Sequence, residues 1–235
     1  MSPPDTALQP AALPDAMLLA TTGGLLDAVV YLNHGHVFAN AMTGNVIFLG
    51  IAAISHKWED IIPRLFPLAG FLAGVITSKH LRTRLGARSV QFGLGLEITA
   101  IFVLGWLPGS FPEMAFTGII AYVAAIQVAS FRRVDRFAYN STFITGNLRD
   151  VAEGLYEAAA PFSTPETRER GLAQGRALGF ICLCFLGGAI LGAWAAPRFA
   201  NRSIWLAEPL LLAVAILSFR HPAAPPIQSS STDSH

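Results

Sequence analysis

The residues of this chain that could do chemistry are three acids and two copies of one tripeptide, and all of them interrupt apolar sequence. Asp27 stands in GLLDAVV, Glu97 in LGLEITAIF and Glu208 in WLAEPLLLA. An ionised side chain at the centre of a bilayer costs about 2.5–3.5 kcal/mol even on insertion scales, so each acid must face the interior, hold a proton or be paired. The chemistry this suggests is proton or cation handling. The alternative is interhelical hydrogen bonding by neutral acids, to Gln91, Gln127 or Tyr122. Thr43-Gly44-Asn45 recurs as Thr145-Gly146-Asn147. A Thr hydroxyl can accept from the orphan amides of a helix's first turn, Gly allows close approach, and Asn offers donors and acceptors. A helix that begins at membrane depth with these residues turns its free N–H groups and positive dipole end toward an anionic or dipolar solute. Gln127 precedes the second triplet much as Asp27 precedes the first, and is grouped with the solute-binding candidates. The competing reading is that the triplets only cap helices and lock them to their neighbours.

The surroundings explain why such residues stand out. Hydrophobic residues make up 53% of the chain, Asp, Glu, Lys and Arg only 13%, and mean hydropathy is +0.50. That charged share is about half of what a soluble domain carries. The formal net charge of +1 points to neither nucleic acid nor an acidic partner. Cys182 and Cys184, two residues apart, would point in different directions on a helix and read as free thiols. The first sixteen residues contain no Lys or Arg and so lack the basic start of a secretory signal. The chain reads as an integral membrane protein.

Six stretches approach the roughly 20 apolar residues that a spanning helix needs: 16–38, 61–81, 89–107, 112–131, 173–197 and 203–220. Residues 161–171 are charged and proline-broken and read as a loop. Residues 43–55 are apolar but too short to span, and 145–159 hold Arg149, Asp150, Glu153 and Glu157. Both begin with the triplet, and both read as half-helices starting near or within the membrane under the shelter of protein.

The order is therefore span, half-helix, span, span, repeated once. Gly70 and Gly74 in the first half match Gly188 and Gly192 in the second, at a spacing that lets backbones approach. Gly171, Gly175 and Gly179 extend the second set. Glu97 and Glu208 occupy the third span of each half. The expected organisation is a tail 1–15, a first repeat 16–107, a second repeat 108–220 and a disordered tail 221–235. If the half-helices do not cross, each repeat has three spans and the two must be inverted. Both termini then lie in the cytoplasm with Lys79, Arg82, Arg84, Arg88, Arg132, Arg133, Arg136, Arg149, Arg168, Arg170, Arg176 and Arg220. Only Lys57, Arg64, Arg198 and Arg202 are left outside, which agrees with the positive-inside bias.

The run GGLLDAVVYLNHGHVFANAMTGN, followed by TFITGN, resembles the YoaK-like family of small bacterial membrane proteins, a domain of unknown function. The likeness covers roughly residues 16–220. It implies a multi-pass protein of the bacterial inner membrane and assigns no activity or substrate.

The expected fold is all-α, with six transmembrane helices and two half-helices. The expected function is transport or conduction of a small solute, with a central site at the two half-helix N-termini and proton coupling. The alternative is a structural or regulatory membrane protein whose centre is tightly packed. No Walker-type loop, G-x-G-x-x-G fingerprint or His/Cys ligand set is present, so neither an enzyme nor a metal or cofactor site is expected, and His34 and His36 are too few for a metal. Membrane lipid and a small molecule or ion are the expected partners, and a homo-oligomer is compatible with the sequence.

Overall fold

The structure is a computed structural model, and it describes residues 11–56, 58–131, 133–134, 137–139, 141 and 144–220. The predicted tails (apart from residues 11–15), Lys57, Arg132 and Arg136 lie outside the described residues, as do the side chains of Arg133 and Arg220. The described chain is helical apart from a two-stranded hairpin. In order it runs α1 (Leu13–Asn33), α2 (Met42–Ile54), α3 (Trp58–Leu85), α4 (Arg88–Trp106), α5 (Glu113–Ser130), β1 (Arg133–Val134), β2 (Phe137–Ala138), α6 (Ile144–Ala159), α7 (Pro165–Phe199), a 3-10 segment (Ala200–Ala207) and α8 (Glu208–Arg220). Among the described residues five stretches are long and apolar enough to cross a membrane, the last comprising α7, the 3-10 segment and most of α8. The outward faces are apolar, with Leu72, Ile76, Phe102, Leu183, Leu186 and Ile190 exposed, whereas Asp27, Asn40, Asn45, Glu97 and Gln127 are buried. That polarity is the reverse of a water-soluble surface and suits a lipid solvent.

Sequence chemistry sets most of the boundaries. Pro14 opens α1 and Asp15 lies in its first turn, where an acid suits the helix dipole. Gly35 and His36, both at positive φ, turn the chain after α1 ends at Asn33, five residues earlier than the apolar run predicts. The loop predicted over 161–171 is mostly helix. Thr164 accepts from the Thr167 amide and Pro165 takes the first helical turn, so the proline starts α7 instead of breaking it. The predicted sixth span, 203–220, is split where the 3-10 segment gives way to α8 at Glu208.

Polar contacts fix the direction of each helix. Ala11 pairs with Val134, so α1 begins where α5 has ended. At its far end Asn33 donates to the carbonyls of Ala196 and Ala200, at the close of α7. Asn201 donates to the Leu107 carbonyl, just past α4. Thus α1, α4 and α7 finish at one end of the bundle, and α3, α5 and α8 run back from it. The chain leaves this first end for the loop and helix α2 and returns to it, and it does the same with α6 at the opposite end.

The bundle is held by two crossings that share one register. Gly70 and Gly74 of α3 lie against the carbonyls of Gly118 and Tyr122 of α5. Gly188 and Gly192 of α7 lie against those of Thr21 and Leu25 of α1. Four residues beyond each second glycine the pattern recurs: Ser78 meets Ser130, and Ala196 meets Asn33. These are the four glycines the sequence singled out. Gly171 and Gly175 do not extend this face, because they pack on Gly154, Val151 and Leu155 of α6, and Gly179 faces open space. A side chain at Gly74 or Gly192 would strike backbone that cannot move aside. Gly74→Leu and Gly192→Leu are expected to cost more than the roughly 1–3 kcal/mol of ordinary overpacking. Melting in detergent would read this, and two unchanged midpoints would refute the crossings.

Candidate functional site

The loop between α1 and α2 does not pass over the end of the bundle. It turns back along α1 until Asn40 reaches the middle of that helix. Asn40 donates its backbone amide to Asp27 Oδ1 at 2.7 Å and its side-chain amide to the Gly23 carbonyl at 3.4 Å. The amides of Ala39 and Ala41 also turn toward Asp27. Asp27 is thus buried beneath the residues that lead into α2, and it accepts the amides that a chain bending this sharply would otherwise leave unpaired.

Asn45 secures the same loop from the other side. Its Oδ1 accepts from the Phe38 amide and its Nδ2 donates to the Phe38 carbonyl, both at 2.8 Å. The Phe38 ring then lies over Gly44, where a Cβ would come within 2.7 Å of the ring. Tyr31, Phe38 and Phe48 stack around this point. Thr43 is exposed and lies inside α2, whose cap residue is Ala41, so the expected Thr43 cap is absent: the helix begins one residue before the triplet.

The second triplet is set differently. Asn147 is buried and partnered, as Asn45 is. Thr145 and Gly146 are exposed, and nothing lies near the Gly146 Cα that a side chain would meet. Thr145 is the second residue of α6, and the two residues before that helix lie outside the described residues. Helix α2 packs on α3 and α6 on α7. Neither is enclosed, since only Asn45 and Ala52 of α2, and Asn147 and Gly154 of α6, are buried. The shelter expected for α6 is replaced by exposure of Arg149, which pairs with Asp150 and Glu153. These carboxylates hold the guanidinium even more firmly charged than usual.

The remaining candidates lie deeper in the bundle. Glu97 is fully buried and neither carboxyl oxygen has a partner, and the charge that acts on it is that of Glu208, at the start of α8. Gln127 is buried with its Nε2 unpartnered. In the register of the two crossings, Asp27, two residues past Leu25, corresponds to Ala124, two past Tyr122. The match of Asp27 with Gln127 drawn from the sequence is therefore almost one turn off. Tyr122 is not a partner of an acid, because its hydroxyl donates to Thr77. Two clefts lie at the periphery. One of about 490 Å³ lies between α6 and the start of α7, lined by Glu153, Tyr156 and Glu157. The other, about 440 Å³, lies at the first end beside Trp106 and Arg202.

Residues 16–217 match the family described as Protein of unknown function (DUF1275). The chain belongs to this family. It is also 30% identical over 207 residues to UPF0700 transmembrane protein YoaK of Bacillus subtilis (strain 168), covering 85% of this chain and 90% of that one. No solved structure matches it. With the apolar outer faces, this relative supports a multi-pass membrane protein.

Sequence reasoning missed Asn40 and Phe38. Both lie in the quoted VFANAMTGN run, but only the return of the loop shows that one contacts Asp27 and the other Asn45. Asn45→Ala would strip both backbone groups of Phe38 of their partners, and is expected to cost about 2 kcal/mol or more. Asp27→Asn keeps an acceptor for the Asn40 amide and is expected to be milder than Asp27→Leu. Detergent melting of the three variants checks this order, and an unchanged Asn45→Ala protein would remove the staple.

His34, just past α1, stacks on Phe116 with ring centroids 3.8 Å apart. Burial pushes its imidazole down to about 4 from the ordinary value of 6.5. The unfolded chain takes up this proton first, so the contribution is intact above pH 6.5 and is lost as pH falls from there toward about 4. The melting midpoint should fall across that window, and His34→Gln should flatten the fall. Parallel curves for the two proteins would count against a buried neutral imidazole.

Proposed function

We propose that the protein forms two inverted three-span repeats in the bacterial inner membrane and moves a small anionic or polar solute coupled to protons. In this reading α2 and α6 enter from opposite faces without crossing. The observation that carries it is the return of the loop to mid-α1, where a helix begins at the depth of a buried carboxyl. Half-helices that begin inside the bilayer, in halves that run in opposite senses, are features of secondary transporters. The repeated crossing register and the opposite directions of α1 and α5 support the inversion.

The ends of the bundle support an orientation. Trp58, Trp106, Trp194 and Trp205 all gather at the first end, as an interfacial aromatic belt does. Arg82, Arg84, Arg88, Arg149, Arg168, Arg170 and Arg176 gather at the other, which is then cytoplasmic together with the start of α1 and the end of α8.

A second reading, a structural or regulatory membrane protein, is favoured by the peripheral position of both clefts and by the full use of the Asn45 amide on Phe38. The two readings separate in proteoliposomes loaded with a pH-sensitive dye and challenged with a panel of small organic acids and polar metabolites. Transport predicts an internal pH change with at least one solute, lost in Asp27→Asn although that variant stays folded. Folded wild-type protein that gives no solute-driven change across the panel would leave the structural reading.

A further inference from the structure

Glu97 of α4 and Glu208 at the start of α8 stand on elements that pack together, with Trp205 of the 3-10 segment donating to the Phe102 carbonyl of α4. Glu97 lies midway along α4 with no exposed surface, and both its carboxyl oxygens are buried without a hydrogen-bond partner. Glu208 Oε1 is likewise buried and unpartnered. Glu208 stands where the 3-10 segment becomes α8 and is followed by Pro209, so the carboxyl is mounted on a break in the helical rod.

Other charges are engaged elsewhere. On α5, Glu113 turns to Gly35 and Tyr122 donates to Thr77. On the 3-10 segment, Arg202 lies over the rings of Trp106 and Trp205. On α1, Asp27 is held by Asn40, and Asp15 acts on Tyr139. On α7, Arg198 lies over Trp194. On α3, Arg64 pairs with Asp60, while Lys79, His80, Arg82 and Arg84 sit near the helix end. Among the described residues the charge that acts on Glu97 is Glu208 alone. Two carboxylates on neighbouring elements of a low-dielectric interior repel, and among the described residues no cationic side chain pairs with either.

We propose that Glu97 and Glu208 form a single exchangeable proton-binding site, in which burial and mutual repulsion favour one proton on the pair. The proposal deepens the proton coupling proposed above. Its test reads proton binding at two residues and needs no solute, so the two can fail separately.

The probe is a lipid-soluble carbodiimide applied to the full-length protein in liposomes over a range of pH. It takes the proton of an undissociated carboxyl onto nitrogen, and the carboxyl oxygen adds to its central carbon. The product then rearranges to a stable N-acylurea that peptide mass mapping locates. The expected result is an adduct on Glu97 or Glu208 that falls about tenfold per pH unit above a midpoint. The adduct should persist in Asp27→Asn and vanish in a Glu97→Gln, Glu208→Gln double variant. Mapping the wild-type chain decides the matter even where that variant does not fold. Absence of an adduct at both residues would overturn the site. An adduct that does not change with pH would also overturn it, since the pair would then be permanently neutral. Protection by sodium at constant ionic strength would overturn it too, by assigning the pair to a metal cation.

Discussion

The rest of this structure depends on backbone-to-backbone contact at two helix crossings. In lipid, apolar side chains gain nothing by leaving their solvent for one another, so helices associate through close packing and polar contact. Gly70 and Gly74 let α3 reach the carbonyls of α5, and Gly188 and Gly192 do the same for α7 on α1. Each crossing joins a helix from one half of the chain to a helix from the other. The two halves are interleaved, and neither could bury its polar residues alone.

That interleaving makes the polar interior affordable. With α1 clamped by α7, the loop after α1 can turn back along it, and Asp27 and Asn45 take up the amides exposed by the turn. The Thr-Gly-Asn triplet at this position works chiefly through its asparagine. The glycine makes room for the Phe38 ring, and the threonine is left outside. One interaction thereby explains both the sharp return and the depth at which α2 begins.

The halves share a framework and differ in what they attach to it. Helix α2 presents Val46, Ile47, Ile51 and Ile54 outward, whereas α6 presents Arg149 and Glu153 along with Leu148 and Leu155. Helix α7 has 35 residues, about 52 Å at 1.5 Å per residue, against an apolar layer of about 30 Å. Its excess length carries Arg168, Arg170 and Arg176, and α6 packs along that part through Gly154, Gly171 and Gly175. The element that begins with the triplet is an apolar helix at one end of the bundle and part of a charged hairpin at the other.

What the sequence determined by itself follows from composition and spacing, which are local. Blocks of apolar residues specify helices for lipid, glycines four apart specify close crossings, and the repeated triplet marks corresponding places in the two halves. The register between the halves was only partly legible. Asp27 and Gln127 stand at similar distances from their triplets, yet the crossing contacts match Asp27 with Ala124, almost a turn before Gln127. Helix ends were misjudged where one residue type can serve two purposes: Pro165 starts α7, and Ala41, not Thr43, leads α2. Only the tertiary structure decided that Asn40 reaches Asp27, that Asn45 closes on Phe38 and that the helices carrying Glu97 and Glu208 pack together. These pairs lie on different turns or different helices, and no periodicity along one strand of sequence encodes which buried polar group will meet which.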